Sequence, residues 1–517
     1  MKTTSVGIIV GGVIFMKGGW LPKSLCRSEK VGKAERYLGH LIGPLGFGFL
    51  SIMVNSYLNV YYTDVCGLGR LWGGAFMSVY PILVKSLDIV TYILAGWLVD
   101  RTVTKQGKAR PYLLMSALLL PVSALFLFLV PEGNSVLTAG AVLTSNIFFF
   151  AVVATLYGTA NTLMVPLTST DVKERSQLAV VVNAQGLITG MTVTVIFPTV
   201  ILPCIGIDQG KWITVMVITA GVAVPLLVLQ YLFTRERVTE REQAEQKREE
   251  VRPGLREQLR CCRKSSMWVT LMAYFALLGL ANALSSAAVF YYCNWVLGTY
   301  NDGITQVMFY AIGNLPMGIG VFLCNPICKK LGRTRAMVGG LILSCIGLGV
   351  CLLFPRNLPV VLAGQFIKAC GTIPSGYLAS VLLGEALDDV EKKSGARCDG
   401  FTSSLYNSLL TITNGIAISV LNAGMALFQY AAPSAGKVAV QPQGMQVFFV
   451  FCEMAVPLLA YPVLAYLLRG LGRENPRRSV SRSHGVGVAC PSREGQKQTF
   501  TKTFLKNLTK DNACQMR

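Results

Sequence analysis

Few ionisable side chains fall inside the long apolar stretches of this chain, and those few could do chemistry. Lys85 and Asp88 stand three residues apart, which places them on one face of a helix. Lys368 follows Gln365 at the same spacing, and Glu453 lies in a later apolar stretch. A charge at membrane depth costs about 2.5–3.5 kcal/mol, so such groups face a cavity or a partner and mark ion or substrate paths. Protonation of Asp88 would break its pair with Lys85 and change the local charge; the bland alternative is a buried structural ion pair. Lys368 has two readings, an anchor for a carboxylated substrate or a partner for Asp88 or Glu453 across a cavity. Amides form the second group: Asn55 and Asn59, one helical turn apart, then Asn161 and Asn183. Each offers donors and acceptors, which suits a hydroxyl-rich solute, while Trp295 or Tyr57 could stack on a sugar's apolar face. For each amide the competing role is a hydrogen bond between helices.

The elements that must position these residues are set by composition. Of 517 residues 52% are apolar and 14% charged, against roughly 25% charged in a soluble chain. Apolar runs recur along the whole length, each of about 20 residues and long enough to cross a bilayer as a helix. Open sheet edges do not survive in lipid, so the reading is an all-α integral membrane protein. Twelve spans are expected, over roughly 40–62, 73–98, 111–130, 137–161, 178–204, 212–234, 267–295, 304–328, 336–354, 359–383, 400–428 and 446–468. The Glu-rich, mixed-charge stretch 235–266 reads as a solvated linker between two six-helix bundles, 39–234 and 267–469. Residues 1–38 read as a tail, in which Val6–Phe15 resembles a short signal-like apolar segment; the functional start is Met1 or Met16. Residues 470–517 read as a basic tail close to an anionic leaflet. Lys and Arg gather in the even-numbered connections, so both termini are expected in the cytoplasm of a cell (plasma or inner) membrane.

The two halves echo each other. GWLVDRTVTKQGKARPYLL follows the second span and CNPICKKLGRTRAMVGG the eighth; TSTDVKERSQL follows the fourth and EALDDVEKKSGARCDGF the tenth. Such internal symmetry suits a transporter with a midplane cavity. At these residues the chain resembles the major facilitator superfamily, through Gly96, Asp100, Arg101, Gly107, Lys108 and Arg110. More narrowly it resembles the glycoside–pentoside–hexuronide:cation symporters (melibiose-carrier-like), through YYTDVCGLG (61–69), DRTVTKQGKARPYLL (100–114), PLTSTDVKERSQL (166–178) and GEALDDVEKKSGARCDG (384–400). The resemblance implies a two-bundle fold, alternating access, and a latch at the Gly96–Arg110 loop. Gly96 and Gly107 would permit close approach and a tight turn there, and Asp100 would pair with Arg101 or Arg110 or face a helix N-terminus. It also implies a cation site in which Asp88 matches the first of two acids, Tyr92 replaces the second, and Thr91 and Thr155 offer oxygens. One carboxylate weakens a sodium site and leaves a titratable group, so a proton is expected as coupling ion, with sodium next. The family's charged sugar-site positions fall on Gly48, Gly158, Asn183 and near Thr411, so substrate identity does not carry over; Lys368 keeps a hexuronide in play.

Other classes fit poorly. The net charge of +21 is distributed as membrane topology, so no nucleic acid is expected. Fifteen scattered Cys and two His give no metal spacing. No nucleophile elbow, zinc-protease motif or phosphate loop is present, so no enzyme, no cofactor and no ATP drive are expected. The expected function is cation-coupled symport of a sugar, glycoside or related small polar solute by a monomer in the lipid bilayer. The alternatives are a carrier of a lysolipid or other amphiphile, and a non-transporting receptor or scaffold.

Overall fold

The computed structural model describes residues 8–10, 13–15, 23–100, 102–104, 106–131, 133–169, 171–238, 255–298, 303–394, 399–433 and 440–474. Twelve long helices run through them: α1 Glu35–Val65, α2 Ala75–Asp100, α3 Arg110–Phe128, α4 Ser135–Thr168, α5 Gln177–Ile205 and α6 Gln209–Leu232 in the first half. The second half holds α7 Ser266–Leu297, α8 Gly303–Leu331, α9 Arg333–Leu353, α10 Leu358–Ser394, α11 Asp399–Leu427 and α12 Gln443–Gly470. Among the described residues ten helices are long and apolar enough to cross a membrane, and α8 and α10 fill the two remaining places. Each expected span thus meets one helix. Local chemistry sets several starts, since Asn134, Asp208 and Ser265 cap α4, α6 and α7 by accepting a backbone N–H. Prolines lie inside α2, α3, α4, α6, α10 and α12 without ending the helices; the Met77 carbonyl, freed by Pro81 on α2, accepts from Asn422 of α11 instead.

Small residues decide which helices touch. A Cβ on Gly43 of α1 would stand 2.5 Å from Gln230 of α6, and one on Gly46 2.8 Å from the Ala223 carbonyl. On α9 a Cβ at Gly347 would stand 2.5 Å from the Gly364 carbonyl of α10. Lipid gives no hydrophobic drive for helix pairing, so backbone approach of this kind supplies the dispersion contact instead. The halves meet along α2 and α11, where a Cβ on Gly415 would stand 2.8 Å from the Lys85 side chain, and where α5 meets the start of α8 at Pro198 and Gly303. We call the end with residues 23–30 and 235–238 the linker end, and its opposite the far end.

Three expectations at the linker end are corrected. The segment read as signal-like holds two short strands, β1 Ile8–Val10 and β2 Val13–Phe15, paired antiparallel; β2 lies parallel to β3, Thr102–Val103, in the loop between α2 and α3. Within the stretch 1–38 read as a tail, residues 23–30 pack against the end of α6: the Leu25 N–H donates to the Leu232 carbonyl at 2.9 Å. The solvated-linker reading also fails at its start, because Glu236 and Arg237 are buried. A short helix covers Leu255–Arg263, and 239–254 and 475–517 lie outside the described residues.

Candidate functional site

The first charge centre joins α2 and α4. The Lys85 ammonium stands 3.6 Å from Asp88 Oδ2, and Thr155 donates its hydroxyl to Oδ1 at 2.6 Å. The lysine lies 3.7 Å from the Phe150 ring centroid, a cation–π contact that helps hold a buried ammonium. Asp88 is 5% and Thr155 1% exposed, so the carboxylate sits out of water with its charge matched. Thr91 does not join them: its hydroxyl donates to the Leu87 and Asp88 carbonyls of its own helix. Tyr92, one turn beyond Asp88, is 37% exposed, and its hydroxyl lies 3.7 Å from where a Cβ on Gly158 would stand.

A second centre lies in the other half. Lys368 Nζ is 3.5 Å from Glu453 Oε1, Gln365 donates to the same oxygen at 3.3 Å, and Ser285 donates to Oε2 at 2.8 Å. Of the two partners open to Lys368 in the sequence, Glu453 is the one it meets.

The amides divide. Asn55 is exposed and bonds back to the Ser51 carbonyl at 2.7 Å, and Asn183 is exposed on α5. Asn161 accepts from Gln230 at 2.7 Å, so it ties α4 to α6. Asn59 belongs to a network across the halves at the far end: it donates to the Tyr291 hydroxyl at 3.1 Å and accepts from Asn422 at 3.0 Å. Asn422 also donates to the Met77 carbonyl, and Tyr430 donates to Asp64 at 3.0 Å while accepting from Trp295 at 3.1 Å. Trp295 is therefore engaged in the network. Tyr57 is 2% exposed against Phe197, which removes it as a stacking platform. A pocket of about 300 Å³ lies beside this network, lined by Asp64, Arg70, Asn422 and Tyr430; it is at the far end, away from both charge centres.

The loop expected to act as a latch carries contacts that the sequence did not suggest. Gly107 has φ +111°, open to glycine at little cost, and the Glu236 carboxylate fills the space where a side chain would stand. That carboxylate accepts the backbone N–H groups of Lys108, Ala109 and Arg110 at 2.9, 2.8 and 2.7 Å, closing the first turn of α3. The Arg110 guanidinium donates to Gln106 and to the Tyr231 carbonyl. Arg237 in turn binds Glu35 at 2.7 Å and the Ser28 carbonyl. Glycine at 96 is not needed for close packing, since a Cβ there would meet nothing within 4 Å. The Asp100 side chain and Arg101 lie outside what is described.

Residues 39–470 match the sequence profile of the family described as "MFS/sugar transport protein". The chain belongs to that family. It is a multi-pass membrane protein and a secondary transporter. It is similar to the "Uncharacterized symporter YnaJ" of Bacillus subtilis (strain 168), 26% identical over 420 residues, covering 79% of this chain and 86% of the relative. It is similar also to the "Isoprimeverose transporter" of Lactiplantibacillus pentosus, 23% identical over 460 residues, covering 86% and 91%. In fold it resembles the crystal structures of nucleoside transporter NupG (TM-score 0.57, 12% identity, 85% of this chain and 98% of that one) and of D-xylose-proton symporter (TM-score 0.55, 13%, 83% and 96%).

One position at which the resembled symporters carry a sugar-site charge, Gly48, has a packing account here. A Cβ on Gly48 would stand 2.6 Å from Thr189 of α5, so that position is closed by helix contact. Glu236 is the residue that reading the sequence missed. Its signal was available only in part, as an acid beyond the end of a span, in a run too charged to single it out. No group of three His, Cys, Asp or Glu that could hold a metal occurs among the described residues.

Proposed function

We propose that the chain carries a neutral sugar or glycoside together with a proton by alternating access, with Asp88 as the coupling group. The observation that carries this reading is where the Lys85–Asp88 pair stands. Its lysine stem packs on Gly415 of α11, so the pair lies on the contact between the halves. A proton on Asp88 frees Lys85 at the surface that must slide when the halves rock. A sodium ion suits the centre less well, because an ammonium 3.6 Å away already fills the cation's place and a hard cation takes several oxygens. Relatives named as symporters and as an isoprimeverose transporter support a sugar-class solute. The exposed amides Asn55 and Asn183 are the groups we assign to its hydroxyls; Asn161 and Trp295 serve the helix contacts. Glu453 neutralises Lys368, which argues against a hexuronide anchor. With the linker end read as cytoplasmic, the far-end network supports an inward-facing arrangement of a transporter in the cell membrane.

The test is uptake of labelled neutral and acidic glycosides into proteoliposomes under an imposed proton or sodium gradient. Proton-driven accumulation of one neutral glycoside is expected, with Asp88→Asn keeping exchange and lowering the limiting accumulation. Sodium-driven accumulation, or accumulation unchanged in D88N, overturns the coupling assignment.

A further inference from the structure

The Lys368–Glu453 centre repeats the plan of the first centre with different helices. Each has one carboxylate, one lysine at 3.6 or 3.5 Å, and one hydroxyl from a third position donating to the carboxylate, Thr155 at 2.6 Å or Ser285 at 2.8 Å. Glu453 is fully buried, deep in α12, where a structural role alone would be served as well by apolar side chains of similar volume. One further contact separates it from a plain ion pair. Lys368 Nζ also donates to Ser285 Oγ at 3.3 Å, so the serine hydroxyl accepts from the ammonium and donates to the carboxylate. The Lys368 side chain keeps 15% exposure while that of Glu453 keeps 1%, so the chain of hydrogen bonds runs from an accessible end to an enclosed one.

We propose that this cluster is a second proton-binding site, so that a complete transport cycle moves two protons, one on Asp88 and one on Glu453. The step balances. Lys368 gives a proton to Ser285 Oγ as the serine passes its own proton to Glu453 Oε2, leaving a neutral amine and a neutral acid. The amine then takes a proton from water at the exposed end, and the net change is one proton bound. A metal cation does not fit, because Oε1 is taken by Lys368 and Gln365 and Oε2 by Ser285. The other titratable groups facing Glu453 are Tyr292 on α7, Tyr310 on α8, Cys351 on α9, and Cys452 and Tyr461 on α12; all are neutral groups, so Lys368 is the charge that Glu453 answers to.

Two measurements test it. The first needs no substrate and so stands apart from the transport reading: infrared difference spectra of the lipid-reconstituted full chain titrated over roughly pH 4–9, the range in which perturbed carboxyls change state. The wild type is expected to show a protonated-carboxyl C=O band that D88N leaves and Glu453→Gln removes; spectra with no E453Q-sensitive band overturn the proposal. The second uses the charge-neutral double variant K368M/E453Q, which a purely structural pair tolerates. If one of two protons is lost, the limiting accumulation ratio falls about tenfold per unit of imposed pH gradient, with exchange retained. Accumulation equal to wild type overturns the proposal. Should neither E453Q variant be recovered folded, Ser285→Ala keeps both charges and is expected to slow uptake at unchanged limiting accumulation; an unchanged uptake rate counts against the relay and overturns it.

Discussion

Glu236→Ala is the most demanding perturbation the fold offers, because one side chain there does the work of a whole helix cap. Its carboxylate receives three backbone N–H groups at 2.7–2.9 Å, is fully buried, and seats against the positive end of α3. Each donor stranded without a partner costs about 1–3 kcal/mol. The alanine leaves a space beside Gly107 that water can partly fill, so the lower bound is the relevant one, and the three donors together lose about 3 kcal/mol. The same space makes the effect diagnosable. Gly107→Ala puts a Cβ 2.5 Å from Glu236 Oε2 and places a non-glycine residue at φ +111°, so it expels the carboxylate as well as straining the turn. If Glu236 is the cap, the two substitutions remove the same interaction, and the double variant is less stable than wild type by clearly less than the sum of the single losses. The assay is the unfolding midpoint of the purified full chain in detergent for wild type, E236A, G107A and the pair. Strict additivity, or an E236A midpoint equal to wild type, refutes the reasoning that a residue after α6 closes the start of α3.

The remaining predictions concern the first centre, the far-end network and the packing of the second half. Thr155→Val removes the hydroxyl that donates to Asp88 at 2.6 Å and is expected to reduce proton-driven accumulation, with Thr155→Ser restoring it; equal accumulation in all three would separate Thr155 from coupling. Asn422→Ala breaks two hydrogen bonds, to Asn59 and to the Met77 carbonyl, worth about 1–3 kcal/mol together. It should speed maleimide labelling of the pocket-lining Cys66 by about tenfold relative to the exposed Cys204, read by mass spectrometry. A Cβ at Gly347 would stand 2.5 Å from the Gly364 carbonyl and 2.6 Å from the Lys368 backbone nitrogen. Gly347→Ala therefore forces α9 from α10 at a cost of about 1–3 kcal/mol, seen as a lower unfolding midpoint, whereas Gly349→Ala, facing open space, leaves it in place.

How much of this was legible before any coordinates depended on the reach of each interaction. The helices were, since a hydrocarbon slab imposes one length and one polarity on every span. The Lys85–Asp88 pair was legible too, because three residues on a helix fix a shared face, and so was Thr155 through the family resemblance. A resemblance does not reveal that Thr91, offered there as an oxygen, donates its hydroxyl to the preceding turn of its own helix. Glu236 and Arg237 were hidden by composition. They open a run of charges that reads as solvated, and only the fold shows that the first two residues after Arg235 turn inward onto Gly107 and Glu35. The pairing of Lys368 with Glu453 spans helices far apart in sequence, where periodicity carries no information about which of two acids is met.

The replaced sugar-site positions carry the last step. A family position that has lost its acid could leave an open, wet cavity, or it could be closed by packing; the two predict different substrates. Gly48 is closed, with Thr189 where a side chain would stand, and Gly158 lies under the Tyr92 hydroxyl. Tyr92 also stands where the resembled symporters carry a second acid, so one aromatic side chain would span both departures. At Gly48 and Gly158 the missing charge thus goes with a neighbour that occupies or borders the space, as expected if the site were refitted for a solute held by neutral hydrogen bonds. Tyr92→Phe separates the cases: it keeps the ring over Gly158 and removes the hydroxyl alone. If the hydroxyl contacts the solute, Y92F raises KM for the transported glycoside and leaves proton coupling per molecule unchanged. If Tyr92 only fills space, KM stays at the wild-type value and the neutral-solute argument loses its structural support.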